Sequence, residues 1–227
     1  MNIVWFKRDF RLEDHPPLWS AMQAGVRLLL VAFVEPELLR DPHYSARHWR
    51  FVNESVADIN QRLAPFHQTL HLLEESPIDF FQKLHQTQKI TAVFSHEETG
   101  VDSTFQRDIY LKKWFVDQEI DWKEFQCNGV VRGKKNRQDW TKQWHAFMEA
   151  PMKAIDLKRL PAMPSLSSDL FQNTFEMCDQ DENIPFQKGG ESEAHRTMDS
   201  FFNERFWAYA KHISKPLLSR ENCSRLS

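Results

Sequence analysis

Over the first 125 residues, short β-like runs alternate with helix-like runs, and this rhythm narrows the possible folds more than any other feature of the chain. The apolar segments NIVWF (2–6), RLLLVAFV (27–34), TLHLLE (69–74), ITAVFS (90–95) and IDWKEF (120–125) read as strands. The second is rich in Leu and Val, as a strand covered on both faces must be. Helices are expected between them: over 18–24 behind a proline pair, over 49–66 with Trp49, Val52, Val56, Ile59 and Leu63 three and four apart, over 79–85 behind Ser76-Pro77, and over 105–116 with Ile109, Leu111, Phe115 and Val116 as the apolar surface. A repeating βα order calls for an α/β fold. We expect a doubly wound, mostly parallel, five-stranded Rossmann-like sheet with helices on both faces and ligand sites at the strand carboxyl ends. Six glycines supply neither GxGxxG nor GxxxxGK[ST], so an NAD fingerprint and a P-loop are both unsupported.

The texture changes after residue 130. Arg132, Lys134, Lys135, Arg137 and Lys142 form a basic run leading into a Trp-rich helix with Trp140, Trp144, Phe147 and Met148. Pro151, Pro161, Pro164 and Pro185 then punctuate a stretch without periodicity, read as a linker wrapping over the surface. After Gly189-Gly190 a helix is expected, with Met198, Phe201, Phe202, Phe206 and Tyr209 on one face and Pro216 as its end. These shifts divide the chain into an α/β domain (1–148), a linker (149–188) and a helical segment (189–227).

Composition enters through what it excludes. With 29 Lys+Arg against 32 Asp+Glu the net charge is -3, which rules out a polybasic protein but leaves room for a local basic patch. Eighteen Phe, eight Trp and three Tyr make a ring-rich chain, which is not the composition of a disordered one. No leader-like or membrane-spanning run is visible, and Cys127, Cys178 and Cys223 form no CxxC pair. The expected setting is cytoplasmic, with no membrane association and with inert thiols.

Candidate chemistry gathers at two strand ends. Lys7, Arg8, Asp9, Arg11, Glu13, Asp14 and His15 follow the first strand, where Arg8 and Arg11 are placed to hold an anion or a partner domain, or to form a solvated loop. His96, Glu97 and Glu98 in SHEETG follow the fourth strand. They suit acid–base work or hydrogen bonding to a flat, nitrogen-rich ligand, although adjacent glutamates do not both face one point. Among the ten histidines no spacing earns a metal-ligand assignment, and His67 and His71 read as loose polar surface. Trp5 and Trp49 read as core. Trp140 and Trp144, four apart, are suited to stacking on a nucleobase or to packing against the sheet or a neighbour. In CSRLS (223–227), Arg225 between Ser224 and Ser227 has the donors of a phosphate clamp.

Several of these pieces together resemble one family, the DNA photolyase and cryptochrome flavoproteins. WFKRDFRLEDHPPL (5–18) is similar to the family's opening, with His15 where Asn is common. Segments 93–114 and 125–148 are similar to the end of its N-terminal antenna domain, GGESEAHRTMDSFF (189–202) resembles the start of its helical flavin domain, and KPLLSRENCSRLS (215–227) resembles its flavin-phosphate run, with Cys223 in place of Thr. The resemblance implies FAD held in a helical domain and often a second pigment, a folate or deazaflavin, at the α/β domain. It also implies blue-light splitting of pyrimidine dimers by photolyases and signalling by cryptochromes. By this resemblance Ser224, Arg225, Leu226 and Ser227 are a partial FAD phosphate motif. Phe6, Lys7, Arg8, Phe33, His96, Glu97 and Glu98 are candidates for the antenna pigment, and no residue is assigned a catalytic or metal role. Most of the helical FAD domain is not encoded here. The chain is therefore expected to hold little FAD, to lack repair of dimer-containing DNA on its own, and to pair through the apolar helix face 198–206, either with itself or back on the sheet. A non-enzymatic α/β domain binding a nucleotide or a protein is the alternative; a hydrolase or transferase lacks a nucleophile or metal motif.

Overall fold

A computed structural model describes residues 1–176, 187–212, 214, 215 and 217. Five strands, β1 (Asn2–Phe6), β2 (Leu28–Phe33), β3 (Leu70–Leu73), β4 (Ala92–His96) and β5 (Asp121–Phe125), form one sheet in the order β3-β2-β1-β4-β5. Every pairing is parallel, with Phe6 opposite Ala32 and Trp5 opposite both Val31 and Ser95. The order reverses beside β1, so the switch-point edge lies at the carboxyl end of this strand.

Helices close both faces because successive strand side chains alternate. Val4, Phe6, Leu28, Leu30, Leu70 and Leu72 point to the face covered by α1 (Pro16–Gln23) and α3 (Ala46–Leu63), which contribute Leu18, Val56, Ile59 and Leu63. Ile3, Trp5, Leu29, Val31 and Val93 point to the other, under α4 (Pro77–Thr87) and α5 (Asp102–Asp117) with Phe80, Phe81, Leu84, Leu111 and Phe115. A five-residue helix α2 (Pro36–Arg40), not foreseen in the sequence, opens the segment before α3. The buried stripe of α5 differs from the apolar reading: Ile109 and Val116 are exposed, while Thr104, Arg107 and Asp108 turn inward beside Leu111 and Phe115. His15 caps α1, its Nδ1 accepting the Leu18 amide at 3.1 Å, so the residue that replaces Asn performs a capping role.

The proline-rich stretch after α6 (Trp140–Met148) does wrap the surface, but it also completes the core. Leu28 N–H donates to Ala162 O at 3.1 Å, and the Gln68 amide reaches both Leu28 O (3.0 Å) and Pro161 O (2.6 Å). Farther on, Thr174 bridges Leu73 antiparallel, with Phe175 N–H donating to Leu72 O at 2.9 Å. This covers the open edge of β3. Leu170 and Phe175 are both buried, one in each core layer. His71 is not loose surface: its ring stacks on Phe171 at 3.9 Å, and burial pushes its pKa down to about 4.

The helical segment α7 (Glu191–Ser200), a π-turn (Phe201–Arg205) and α8 (Phe206–His212) follows. Its entry is held tightly. Gly190 has φ 112°, and a Cβ at Gly189 would lie 2.2 Å from the Phe51 carbonyl oxygen, so only glycine fits this approach. The buried Glu191 carboxylate accepts the amides of Leu12 (2.9 Å) and Glu13 (3.0 Å) and pairs with Arg62. Of the expected apolar face only Phe201 is buried; Phe202 and Phe206 are exposed. Pro216, Cys178, Cys223 and Ser224–Ser227 lie outside the described residues. Among the described residues no helix is long and apolar enough to cross a membrane.

If the 149–176 stretch belongs to the core, Leu170→Ala and Phe175→Ala each lower the unfolding free energy by about 2–4 kcal/mol in urea titrations; a mere linker would yield under about 0.5 kcal/mol. His71 generates a pH dependence. Unfolded, it takes up a proton near 6.5; folded, it stays neutral down to about 4. The unfolded state therefore binds more protons across this window, and stability falls as pH drops through it. Denaturant midpoints measured along that window should decline less steeply in His71→Phe than in the parent chain.

Candidate functional site

At the carboxyl ends of β1 and β2 the sheet opens into a cavity of about 560 Å³, within the range of small-molecule sites. Part of the lining is aromatic: Trp5 and Phe33 from the strands, Tyr44 from the loop before α3, and Trp49 and Phe51 from the start of α3. Tyr44 and Trp49 stack on each other at 5.1 Å with a 21° tilt, presenting a flat surface.

The rest of the lining is charged. Buried Lys7 gives a 2.6 Å bond to Asp108 and lies 4.5 Å over the Trp5 ring. Arg107 reaches Asp108 (2.7 Å), Glu98 (3.0 Å) and Glu35, and its guanidinium sits 4.7 Å from the Trp5 ring centre. Arg8, more exposed, holds the other oxygen of Glu98 at 3.1 Å. Burial lowers the pKa of Lys7 despite Asp108. Burial pushes Glu98 upward, but Arg8, Arg107 and Lys7 outweigh it and hold the carboxyl below its usual range. Glu35 goes the other way: burial wins over Arg107 and raises its pKa. The cavity thus offers one firmly ionised carboxylate and one that takes a proton more readily, beside a ring-lined wall.

Of the sequence candidates, Phe6, Lys7, Arg8, Phe33 and Glu98 line this cavity, with Phe6 also fully buried in the core. His96 and Glu97 do not. Buried His96 Nδ1 bonds Asp9 Oδ2, while Glu97 points toward Arg132 at 3.5 Å. Glu97 and Glu98 thus face different partners. Arg11 donates to the carbonyls of Glu13 and Asp14, closing its own loop. Trp49, read as core, is a partly buried wall residue.

Glu35, Tyr44, Arg47, His48 and Arg107 are lining residues that the sequence reading missed. Glu35 carried a usable signal, since it follows a strand at the ligand edge. Tyr44 and Arg107 carried none, because their place depends on how two helices cross the sheet.

Asp9, His15 and His96 bring three ligand-type atoms within 4.8 Å of one another, all buried. Their donor pattern does not suit a metal ion. His15 Nδ1 accepts the Leu18 amide, so its proton sits on Nε2, 2.7 Å from Asp9 Oδ2. Lys7 N–H supplies Asp9 Oδ1 at 2.7 Å. The two imidazoles outweigh burial and keep the Asp9 carboxyl ionised far below its usual range. In the second such group, Glu191 already spends its oxygens on two amides and Arg62.

Comparison with known proteins agrees with this architecture. The family model described as DNA photolyase matches residues 2–162. Cryptochrome-2 of Gallus gallus is 21% identical over 226 residues, which span 91% of this chain and 39% of that protein. Cryptochrome DASH of Gloeobacter violaceus is 27% identical over 113 residues, 47% of this chain and 23% of that one. A bacterial class III photolyase from Agrobacterium tumefaciens superposes with a TM-score of 0.74 at 18% identity, covering 100% of this chain and 49% of that one. The archaeal photolyase from Sulfolobus tokodaii, solved with two FAD molecules, gives 0.62 at 16% identity over 87% of this chain and 46% of that one. The chain therefore spans less than half the length of these relatives. With its family matched over most of its residues and its fold shared with photolyases, this chain belongs to the DNA photolyase family and corresponds to the N-terminal portion of a photolyase- or cryptochrome-like flavoprotein.

Proposed function

We propose that this portion is the pigment-holding antenna domain of such a flavoprotein, and that the cavity at the ends of β1 and β2 takes a flat, nitrogen-rich ring of the folate or deazaflavin class. One observation carries the reading: a cavity of about 560 Å³ is lined both by aromatic rings, with Tyr44 and Trp49 stacked on each other, and by a network of carboxylates and guanidinium groups. A planar ring gains stacking on Trp49 and Tyr44. Its polar edge meets Glu98, which accepts hydrogen bonds, and Glu35, which accepts or, when protonated, donates. Arg8 at the rim suits a charged tail. Arg107 holds both carboxylates in place, and Lys7 pairs with neighbouring Asp108; among the described residues nothing in this cavity resembles a nucleophile with its base.

Light-driven, FAD-dependent DNA repair or blue-light signalling then belongs to the whole flavoprotein, to which this portion contributes light capture. Ser224–Ser227 are proposed as part of the phosphate contact to FAD, and the helical FAD domain as the partner of this portion.

The test is titration of the purified chain with a deazaflavin, a reduced folate and FAD, followed by absorbance and fluorescence quenching. A deazaflavin or folate should bind at about one molecule per chain. Trp49→Ala and Arg107→Gln should weaken binding by at least about tenfold, and Glu97→Gln by less than about twofold. Absence of binding by both pigments, or equal loss in Glu97→Gln, would overturn the assignment.

A further inference from the structure

A second cleft, of about 360 Å³, lies on the far side of β5 between the loop 128–137 and α6, and shares no lining residue with the pigment cavity. We propose that it binds a nucleotide unit of single-stranded nucleic acid, with the base on Trp140 and the phosphate on Lys135 and Arg137.

Three observations combine. First, α6 buries none of its nine residues, and Trp140 is 44% exposed, so this Trp-rich helix is not explained by core packing. Trp144 lies over Gly129, where an added Cβ would come within 2.7 Å of the indole, and Trp140 stacks on Trp144 at 6.3 Å with a 27° tilt. The inner indole is thereby anchored, and the outer one is presented as a platform.

Second, the charge is one-sided. The lining contains Lys134, Lys135 and Arg137 and no carboxylate, in a chain whose net charge is -3. Neighbouring Arg132 is already neutralised by Glu124 at 2.8 Å, and Lys134 is tied to Gln143 at 3.0 Å. The side chains of Lys135 and Arg137 have no ion pair or hydrogen bond among the described residues, although the Arg137 carbonyl accepts the Trp140 amide at 3.1 Å. Third, Asn128 and Asn136 also line the cleft, the Asn136 Oδ1 already accepting the Gln138 amide at 3.0 Å. Amides there supply donors and acceptors for a base edge or a sugar hydroxyl.

An exposed indole beside unpaired cations matches how single strands are held, by stacking on a ring and neutralising the backbone. A free anion would use the cations but not the indole, whereas a nucleotide unit uses both.

The experiment is fluorescence anisotropy of a fluorescein-labelled oligothymidylate, about eight nucleotides long, with the full chain at low salt. Binding is expected, weakening as salt rises. Trp140→Ala should weaken it by about five- to a hundredfold, and the Lys135→Glu/Arg137→Glu pair by at least about tenfold with a shallower salt dependence. Thymidine monophosphate should displace the probe better than inorganic phosphate. Circular dichroism of the variants should match the parent, since all three side chains are exposed. No binding by the parent chain overturns the proposal. So does undiminished binding by Trp140→Ala, or displacement by inorganic phosphate as effective as by the nucleotide. A variant that keeps oligonucleotide affinity while losing association with another protein overturns it too. Loss of pigment binding leaves this result untouched, because the two sites share no residue.

Discussion

Everything at the ligand edge depends on one buried electrostatic arrangement. Lys7 at the end of β1, Arg107 and Asp108 on α5, Glu98 after β4 and Glu35 after β2 are joined through Arg107, with Arg8 closing the set at the surface. Three cations meet three carboxylates, so the set is neutral as a whole. Burying such charges is costly unless each has its partner, and removal of one leaves an uncompensated charge worth about 3–5 kcal/mol. The three strand ends and α5 are therefore held in a single mutual arrangement. An all-apolar packing of the same volume would bind these elements together without specifying hydrogen-bonding positions. The ionic set does both, and the cavity inherits its polar wall from the contacts that position its neighbours.

The sheet was legible because its signals are local. A strand buried on both faces announces itself as an apolar run, as in β1, β2 and β4, and all five expected strands, the partly exposed edge strand β5 included, form one parallel sheet. Helix faces were harder where function intrudes. On α5 the inward stripe carries Arg107 and Asp108, which an apolarity count assigns to solvent, while Ile109 and Val116 are left exposed. The stretch 149–188 reads as linker because it lacks periodicity. Its core residues, Leu170 and Phe175, are isolated, and each is buried through contacts with β3 and its neighbours. No local pattern encodes that.

The candidate site divides in the same way. Residues that immediately follow a strand, such as Lys7, Arg8 and Glu98, were found from position alone. His96 and Glu97 share that position yet turn elsewhere, His96 to Asp9 and Glu97 to Arg132. Part of the aromatic lining, Trp49 and Phe51, comes from α3, whose approach to β1 and β2 is a tertiary fact. Trp49 fitted a core helix pattern and still serves the cavity, since a residue at the end of a core layer borders both.

Glu191 gives the α7 segment an unusual attachment. Its carboxylate grips two consecutive amides of the β1–α1 loop, and that same loop carries Arg8 at the cavity rim and Asp9 beneath it. Helix and rim are thus joined through a handful of backbone atoms, beside the close approach of Gly189 to α3. Loss of the Glu191 carboxylate would leave the Leu12 and Glu13 amides without their acceptor and unfasten the start of α7 from the loop that borders the cavity.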